Sequence, residues 1–137
     1  MVDGVNPPGV WQPFGAFSLA VLQGPGQIVH LKGQVALDAD GRVVGAGDMA
    51  AQVRMALTNI QSVLAHFGGE MGDILSLTLH VTDIEAFMAA GEVRAAFFSP
   101  PYPATTTVEV VRLYDPALMV EITAMAEIPM ARFRRPG

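Results

Sequence analysis

The strongest constraint on the fold lies at residues 100–113, where a proline-rich loop runs directly into a β-branched segment. Pro100, Pro101 and Pro103 restrict φ and lack backbone donors, so neither a helix nor a sheet interior can pass through them. The threonines and valines that follow favour an extended strand. A rigid loop that leads into a strand holds side chains in fixed positions, and we therefore expect a binding site at this junction.

The 137-residue chain is apolar for a small protein, with 51% hydrophobic and 15% charged residues. Typical soluble domains carry about 25% charged residues. No apolar run approaches the roughly 18 residues that a membrane span needs. We therefore expect one domain that does not enter a membrane. We expect it to assemble into an oligomer, because obligate interfaces bury apolar surface as a core does.

Charge and residue types exclude several classes of function. The net charge is −5 and no basic stripe is present, which argues against nucleic-acid binding. The basic residues Arg132, Arg134 and Arg135 form a short C-terminal tail that we expect to be frayed. The absence of cysteine excludes disulfides and thiolate metal sites, and the three histidines lack ligand spacing, so no metal is expected. No secretory signal is visible at the N-terminus, which indicates the cytoplasm.

Apolar periodicity predicts an α+β protein with one mixed sheet and both helices on one face. Residues 1–12 and 130–137 are expected to be irregular ends. The first two strands are expected to form a hairpin, a capping box beginning at Thr82 should start the second helix, and the open sheet face should favour oligomerisation. The predicted strands are 16–22, 27–35, 42–44, 73–82, 105–113 and 118–128, and the predicted helices are 48–67 and 84–98.

Two glutamates in apolar strands are candidates for chemistry. Glu121 lies between Val120 and Ile122, where a carboxylate is costly to desolvate unless it is paired or used. It could activate a water, or it could simply be solvated or form an interface salt bridge. Glu109 shares a strand face with Thr105 and Thr107 by parity. It is expected to form a cross-strand or interface pair with Arg112 or Arg94.

Lys32 is a further candidate, because it precedes Gly33, at which a ligand could approach the backbone closely. The alternative is that this lysine is simply solvated, as most are. From the residues alone, a polar site could form from Thr105, Thr107, Glu121 and Lys32. These residues do not name a reaction.

Six short motifs occur along the chain at positions that carry a further resemblance. They are G-A-F-S-L-A-V at 15–21, K-G-Q-V at 32–35, G-D at 47–48, P-Y-P-A at 101–104, T-V-E-V at 107–110 and V-E-I at 120–122. Together they resemble the reactive intermediate deaminase (Rid/YjgF) family over roughly residues 12–128, and the C-terminal motifs are the most specific.

This resemblance implies a chorismate-mutase-like fold of the bacillus type, assembled as a homotrimer with ligand clefts between subunits. Active members hydrolyse enamines and imines to ketones and ammonia without a cofactor. An arginine after P-Y-P-A binds the substrate carboxylate, and the glutamate of V-E-I, here Glu121, positions the water. The ribonuclease label also used for the family gains little support from a chain with a net charge of −5.

The chain departs from the family pattern at its site. Thr105 replaces the arginine and cannot form a bidentate pair with a carboxylate. Phe17 replaces a tyrosine, Lys32 a serine and Gly91 an asparagine. Two hypotheses follow. The first is a divergent enamine or imine deaminase, or a related hydrolase, in which Lys32 supplies positive charge. The second is a non-catalytic trimer that binds a small molecule or acts as an accessory partner in a pathway. The expected catalytic residue is Glu121, and the expected binding residues are Phe17, Lys32, Gly33, Ala104, Thr105 and Thr107.

Overall fold

The computed structural model describes residues 2–136 and contains a four-stranded mixed sheet, a two-stranded ribbon and three α-helices within that range. A 3₁₀ turn at Met71–Asp73 precedes the fourth strand. The elements are β1 (Asp3–Val5), β2 (Ala20–Leu22), β3 (Gln27–His30), α1 (Met49–His66), β4 (Ile74–Val81), α2 (Ile84–Ala89), α3 (Gly91–Ala95), β5 (Ala104–Glu109) and β6 (Val120–Ile128).

The main sheet has the order β3-β6-β4-β5, with β4 and β5 parallel and the other pairs antiparallel. The helices α2 and α3 form the crossover that a parallel pair requires. The predicted hairpin between the first two strands is wrong, because β2 pairs with β1 and β3 pairs with β6. The turn between them is held by Glu127 of β6, a buried carboxylate that accepts a hydrogen bond from the Gly24 N–H at 2.8 Å.

Helix α1 confirms the prediction made from its apolar spacing. The Asp48 side chain accepts a hydrogen bond from the Ala51 N–H at 3.1 Å, as an N-cap residue does. Its buried face includes Val53, Leu57, Ile60 and Leu64, which pack on the sheet. The helix ends before Gly68, whose φ of +80° is readily adopted only by glycine.

Gln52 is the polar exception on the buried face of α1. Its side chain is fully buried, donates to the Ala117 carbonyl at 2.8 Å and accepts from the Met119 N–H at 2.7 Å. Both backbone groups belong to the segment that leads into β6. Gln52 therefore satisfies two peptide groups where the chain returns to the sheet.

The second predicted helix is divided into α2 and α3 at Ala90, directly before Gly91. Glycine lowers helix stability, and Gly91 lies at the division. The cap is also one residue later than predicted, because Asp83 rather than Thr82 accepts from the Ala86 N–H, at 3.0 Å. The following strand β5 stops at Glu109, which is opposite the end of β4.

Strand β4 contains an irregularity that the alternation of its sequence does not show. Ile74 pairs with Ala126 and Ser76 pairs with Met125, so Leu75 is an extra residue in the ladder. As a β-bulge shifts the alternation, Ile74 joins the helix-facing core whereas Leu75 does not. Leu75 was predicted to share a face with the later leucines of this strand, and that placement is wrong.

All three helices pack on one face of the main sheet, as predicted. Buried residues of α1 and α2, together with the partly buried Val93 of α3, belong to one apolar cluster with side chains of β4 and β6, among them Leu79 and Ile122. The opposite face carries the alternate residues of the same strands, including Thr78, Glu121 and Thr123, which are partly exposed. The sheet thus separates a helix-covered face from an open face.

Both chain ends are more ordered than their composition suggests. Asp3–Val5 form β1 within the segment predicted to be irregular. The basic tail is not frayed: Arg132 donates to both carboxylate oxygens of Asp73, at 2.6 and 3.0 Å, and to the Gly68 carbonyl at 3.0 Å. The Arg134 guanidinium donates to the Ala65 carbonyl at 3.0 Å. These cations meet the carbonyl end of α1, where positive charge is stabilising.

Residues 2–136 contain no helix that is long and apolar enough to cross a membrane. Over the same range, no group of three or more histidine, aspartate or glutamate side chains is placed to hold a metal ion.

Candidate functional site

A cleft of about 610 Å³ opens between strand β5, the helices α2 and α3, and the loop at 11–17. Its size lies in the range of small-molecule sites, which is roughly 300–1,000 Å³. Most of its surface is apolar. The lining residues are Trp11, Phe14, Gly15, Ala16, Phe17, Ile84, Phe87, Met88, Gly91, Glu92, Arg94, Ala95, Thr105 and Thr107.

Strand β5 places both predicted threonines in this cleft. Thr105 lies opposite Leu77 and Thr107 lies opposite Leu79, and both leucines belong to the helix-facing core. Residues directly opposite each other in a sheet share a face. Because β5 is the edge strand, its threonines are not covered by α1 and instead form one wall of the cleft.

The start of β5 is anchored by the loop that carries Phe17. The Ser18 N–H donates to the Pro103 carbonyl at 3.0 Å, and Ser18 forms a bridge with Ala104. Phe17, Ala104 and Thr105 also share a smaller neighbouring depression. The proline-rich loop therefore positions the strand and the aromatic residue together, and this brings three of the predicted binding residues into one place.

Thr105 has limited capacity to bind a carboxylate. Its hydroxyl donates to the Pro103 carbonyl at 3.3 Å, which uses its only proton. A hydroxyl has one donor and two acceptor lone pairs, so in this conformation Thr105 can only accept from a ligand. It cannot donate to a carboxylate without breaking that contact.

Three aromatic rings form the outer wall of the cleft. The ring centroids of Trp11, Phe14 and Phe17 lie 5.2 to 6.0 Å apart, within the range of favourable aromatic pairs. Trp11 is 59% exposed and Phe14 is 82% exposed. Such a cluster of exposed aromatic surface is characteristic of a binding site. Sequence reasoning missed Trp11 and Phe14. Trp11 falls in the segment 1–12 that was expected to be irregular, and Phe14 follows directly after it.

Arg94 is the cationic residue of the cleft. It projects from α3, and its guanidinium carbon lies 5.9 Å from the centroid of the Phe87 ring. Within residues 2–136, no carboxylate oxygen lies within 4.0 Å of it, since the ion pairs of that range belong to Arg132. Burial lowers the pKa of Arg94, as desolvation of a cation does.

Glu121 and Gly33 form a separate group on the open face of the sheet. Glu121 lies opposite His80, and His80 lies opposite Val108 on β5. A Cβ atom at Gly33 would overlap the Glu121 Oε2 atom, so the glycine allows the carboxylate to lie against the backbone. Lys32, the preceding residue, is exposed. Within one chain, the sheet therefore separates Glu121 from Thr105.

Within one copy of the chain, over residues 2–136, Glu109 does not pair with an arginine. Its Oε1 atom accepts from the Ile84 N–H at 3.0 Å, at the first residue of α2. Within residues 2–136, neither Arg94 nor Arg112 lies within ion-pair distance of it. Glu109 thus stabilises the N-terminus of a helix that borders the cleft, where negative charge is favourable.

Comparison with known proteins identifies the family. Residues 10–128 match the family described as endoribonuclease L-PSP, which covers most of the chain. A conserved Rid family protein from Yersinia pestis has the same fold, with a TM-score of 0.83 and 30% identity over 93% of this chain and 98% of that chain. The chain belongs to the Rid/YjgF family.

Relatives of known sequence agree with this membership. A RutC family protein from Pyrococcus horikoshii is 32% identical over 115 residues, which cover 84% of this chain and 89% of the relative. A protein from Dermatophagoides farinae named 2-iminobutanoate/2-iminopropanoate deaminase is 31% identical over 117 residues, covering 85% of this chain and 89% of the relative. This Rid chain is thus similar over most of its length to a protein named as an imine deaminase.

Proposed function

We propose that this Rid protein hydrolyses the enamine or imine form of a small metabolite, with Glu121 activating the attacking water. The observation that carries the proposal is the cleft beside strand β5, which follows the P-Y-P-A loop, in a chain similar to a named imine deaminase. An apolar cleft with a few convergent polar groups is the usual form of a small-molecule site.

The proposed active site lies between copies of the chain in a homotrimer with a chorismate-mutase-like fold. The positions of its residues support this arrangement, because Thr105 and Glu121 lie on opposite faces of one sheet. A single small ligand can meet both residues only if they come from different copies. Phe17, Ala104, Thr105 and Thr107 are proposed as binding residues from one copy, and Gly33, Lys32 and Glu121 from its neighbour.

The proposed reaction needs a base and no redox step. The Glu121 carboxylate takes a proton from water as the oxygen attacks the imine carbon. The carbon–nitrogen bond then breaks, and the nitrogen leaves as ammonia after it receives protons from the carboxyl group and the added hydroxyl. One water is consumed, and one ketone and one ammonia are formed, so neither a metal nor a cofactor is required. A positioned acid–base group typically contributes about 10²- to 10⁴-fold in rate.

The test is hydrolysis of 2-imino acids generated by an amino-acid oxidase, followed as ammonia release and as loss of the semicarbazone adduct. Wild-type protein should accelerate hydrolysis above the spontaneous rate, and Glu121→Gln should lose at least about 100-fold of that gain. Glu85→Gln, the same change at an exposed position of α2, should retain it. No acceleration by wild type, or equal rates for both variants, would contradict the proposal.

Gly33→Ala offers a second test of the same carboxylate. The added methyl group would displace Glu121 Oε2, which is the movable end of a flexible side chain. We therefore expect a large loss of hydrolysis with little change in the free energy of unfolding. Unchanged activity in Gly33→Ala would indicate that the position of Glu121 is unimportant.

A second candidate function is binding of a small molecule without catalysis. Thr105 favours this non-catalytic function, because it stands where the resemblance implies the carboxylate-binding arginine. Its hydroxyl also donates to the Pro103 carbonyl and so cannot donate to a carboxylate in this conformation. If wild type is inactive and Thr105→Arg alone restores imine hydrolysis, the scaffold is competent and the native ligand is of another kind. If both are inactive while a metabolite raises the melting temperature, the binding function stands.

A further inference from the structure

We propose that Arg94 is the anion-binding residue of the cleft and that the cleft selects a carboxylate attached to an aromatic or similarly bulky apolar group. This assignment deepens the proposed function and rests on it for the location of the ligand. It differs from the sequence-based hypothesis, in which Lys32 supplies the positive charge.

The charge of Arg94 is the first step. Its side chain is partly buried among apolar groups, and no carboxylate of residues 2–136 lies within 4.0 Å of it. A desolvated cation without a partner is costly, so a ligand that supplies an anion gains more here than it would at an exposed arginine. Glu92 also borders the cleft but is exposed to solvent, where its charge is better screened.

The position of Arg94 is the second step. The Phe87 ring lies 5.9 Å from its guanidinium carbon, a distance at which a cation and an aromatic face attract each other. Phe87 is itself 3% exposed and belongs to the core, so it offers a rigid support for the guanidinium. A planar guanidinium can bind a carboxylate through two parallel hydrogen bonds. Lys32 is exposed and does not line this cleft.

The aromatic wall of the cleft determines which kind of ligand fits beside Arg94. Trp11, Phe14 and Phe17 line the same cleft as Arg94. The segment 11–17, which carries these three rings, contains no charged residue. Their rings provide large rigid apolar surfaces that suit stacking against another ring. A carboxylate at Arg94 therefore directs the rest of the ligand along aromatic and aliphatic side chains. Short polar acids would leave this surface uncovered.

Trp11 makes the inference directly measurable, because it is the single tryptophan of the chain and lines the cleft. We would titrate 3-phenylpropionate, its neutral analogue 3-phenylpropionamide and propionate, and follow tryptophan fluorescence with calorimetry as a second readout. Wild type should bind the aromatic acid at least about tenfold more tightly than the amide, which corresponds to about 1.4 kcal/mol. It should bind propionate at least about tenfold more weakly than the aromatic acid.

Arg94→Gln should reduce the preference for acid over amide to about one while leaving the affinity for the amide nearly unchanged. Arg54→Gln, the same change at an exposed position of α1 outside the cleft, should preserve the preference. Arg94→Lys keeps the charge but not the two parallel donors, and should retain part of the preference. This variant also serves if Arg94→Gln does not fold.

Three results would overturn the inference: no binding of 3-phenylpropionate, an unchanged acid preference in Arg94→Gln, or equal affinity for propionate. The binding assay involves no turnover, so its outcome is separate from that of the hydrolysis test. Binding that depends on Arg94 without imine hydrolysis would leave this inference standing and refute the proposed reaction. Imine hydrolysis without a preference for the acid over the amide would refute this inference and leave the proposed reaction standing.

Discussion

Replacing Asp73 by asparagine should destabilise the protein by about 2 kcal/mol, because it breaks the contact that fastens the C-terminal tail. The Asp73 side chain is 7% exposed and accepts from Arg132 at 2.6 and 3.0 Å. It also accepts from the Glu70 N–H at 2.8 Å. Asparagine has nearly the same shape, so the change removes the charge and one acceptor without opening a cavity.

The magnitude follows from the surroundings of the pair. Hydrogen bonds to charged groups contribute about 1.5–3 kcal/mol, and removing one partner of a fully buried pair costs about 3–5 kcal/mol. The Arg132 side chain is 38% exposed, so water screens part of the interaction. The lower range, about 1.5–3 kcal/mol, therefore applies. For a chain of this length, about 2 kcal/mol corresponds to a melting temperature lower by about 7 °C.

The assay is urea denaturation followed by far-UV circular dichroism at one fixed protein concentration, because association would shift the midpoint.

Hydrogen bonding to Asp73 raises the pKa of Arg132 above its ordinary value. A raised pKa of a cation means that its stabilisation is fully present below the ordinary arginine pKa. The arginine therefore contributes no change in stability between about pH 6 and pH 9.

Glu70→Gln is the matched control. The Glu70 Oε1 atom lies 3.8 Å from the same guanidinium, but the side chain is 70% exposed. Exposed ion pairs contribute about 0.2–1 kcal/mol, so a loss of roughly 0.5 kcal/mol or less is expected. The reasoning is refuted if Asp73→Asn costs less than this control, or if both variants cost the same.

Two further predictions concern stability and use the same assay. Gln52→Leu leaves the Ala117 carbonyl and the Met119 N–H, at two half-buried residues, without their side-chain partner and should cost about 2–4 kcal/mol, whereas the exposed Gln61→Leu should cost less than about 0.5 kcal/mol; equal losses would contradict the role of the buried amide. Gly68→Ala should cost more than the roughly 1–2 kcal/mol of left-handed strain alone, because its Cβ would also overlap the Arg132 carbonyl oxygen. Gly47→Ala has nearly the same φ with no atom within 4 Å of its Cβ, so it should show only the strain; a loss as large as that of Gly68→Ala would contradict this reasoning.

Local signals in the sequence predicted much of the fold. The apolar spacing of α1, its cap at Asp48 and its end at Gly68 depend on residues within a few positions of one another. The alternation of β6 likewise placed Glu121 opposite the buried side of its strand. Such features follow from backbone periodicity and glycine stereochemistry, which act at short range.

Strand pairing was harder to predict, because it joins residues that are distant in the chain. The hairpin between the first two strands was a reasonable inference from the turn at 23–26. In the structure, however, the Gly24 N–H of that turn donates to Glu127, which lies more than 100 positions later in the chain. The bulge at Leu75 also arises from pairing with β6, since nothing in the alternation of β4 marks it. The C-terminal arginines were expected to be frayed because their partners are distant in the chain: Asp73 lies 59 positions before Arg132, and Ala65 lies 69 positions before Arg134.

The proline-rich loop and the strand after it placed the cleft at the level of sequence, because prolines limit the backbone and β-branched residues favour extension. Parity within that strand also placed Thr105 and Thr107 together. Only the tertiary structure decided that Glu121 lies on the face of the sheet opposite to Thr105, and that Arg94 lines the cleft. Periodicity orders side chains within one element, whereas the pairing of elements determines which side chains meet, and that pairing depends on packing of the whole core.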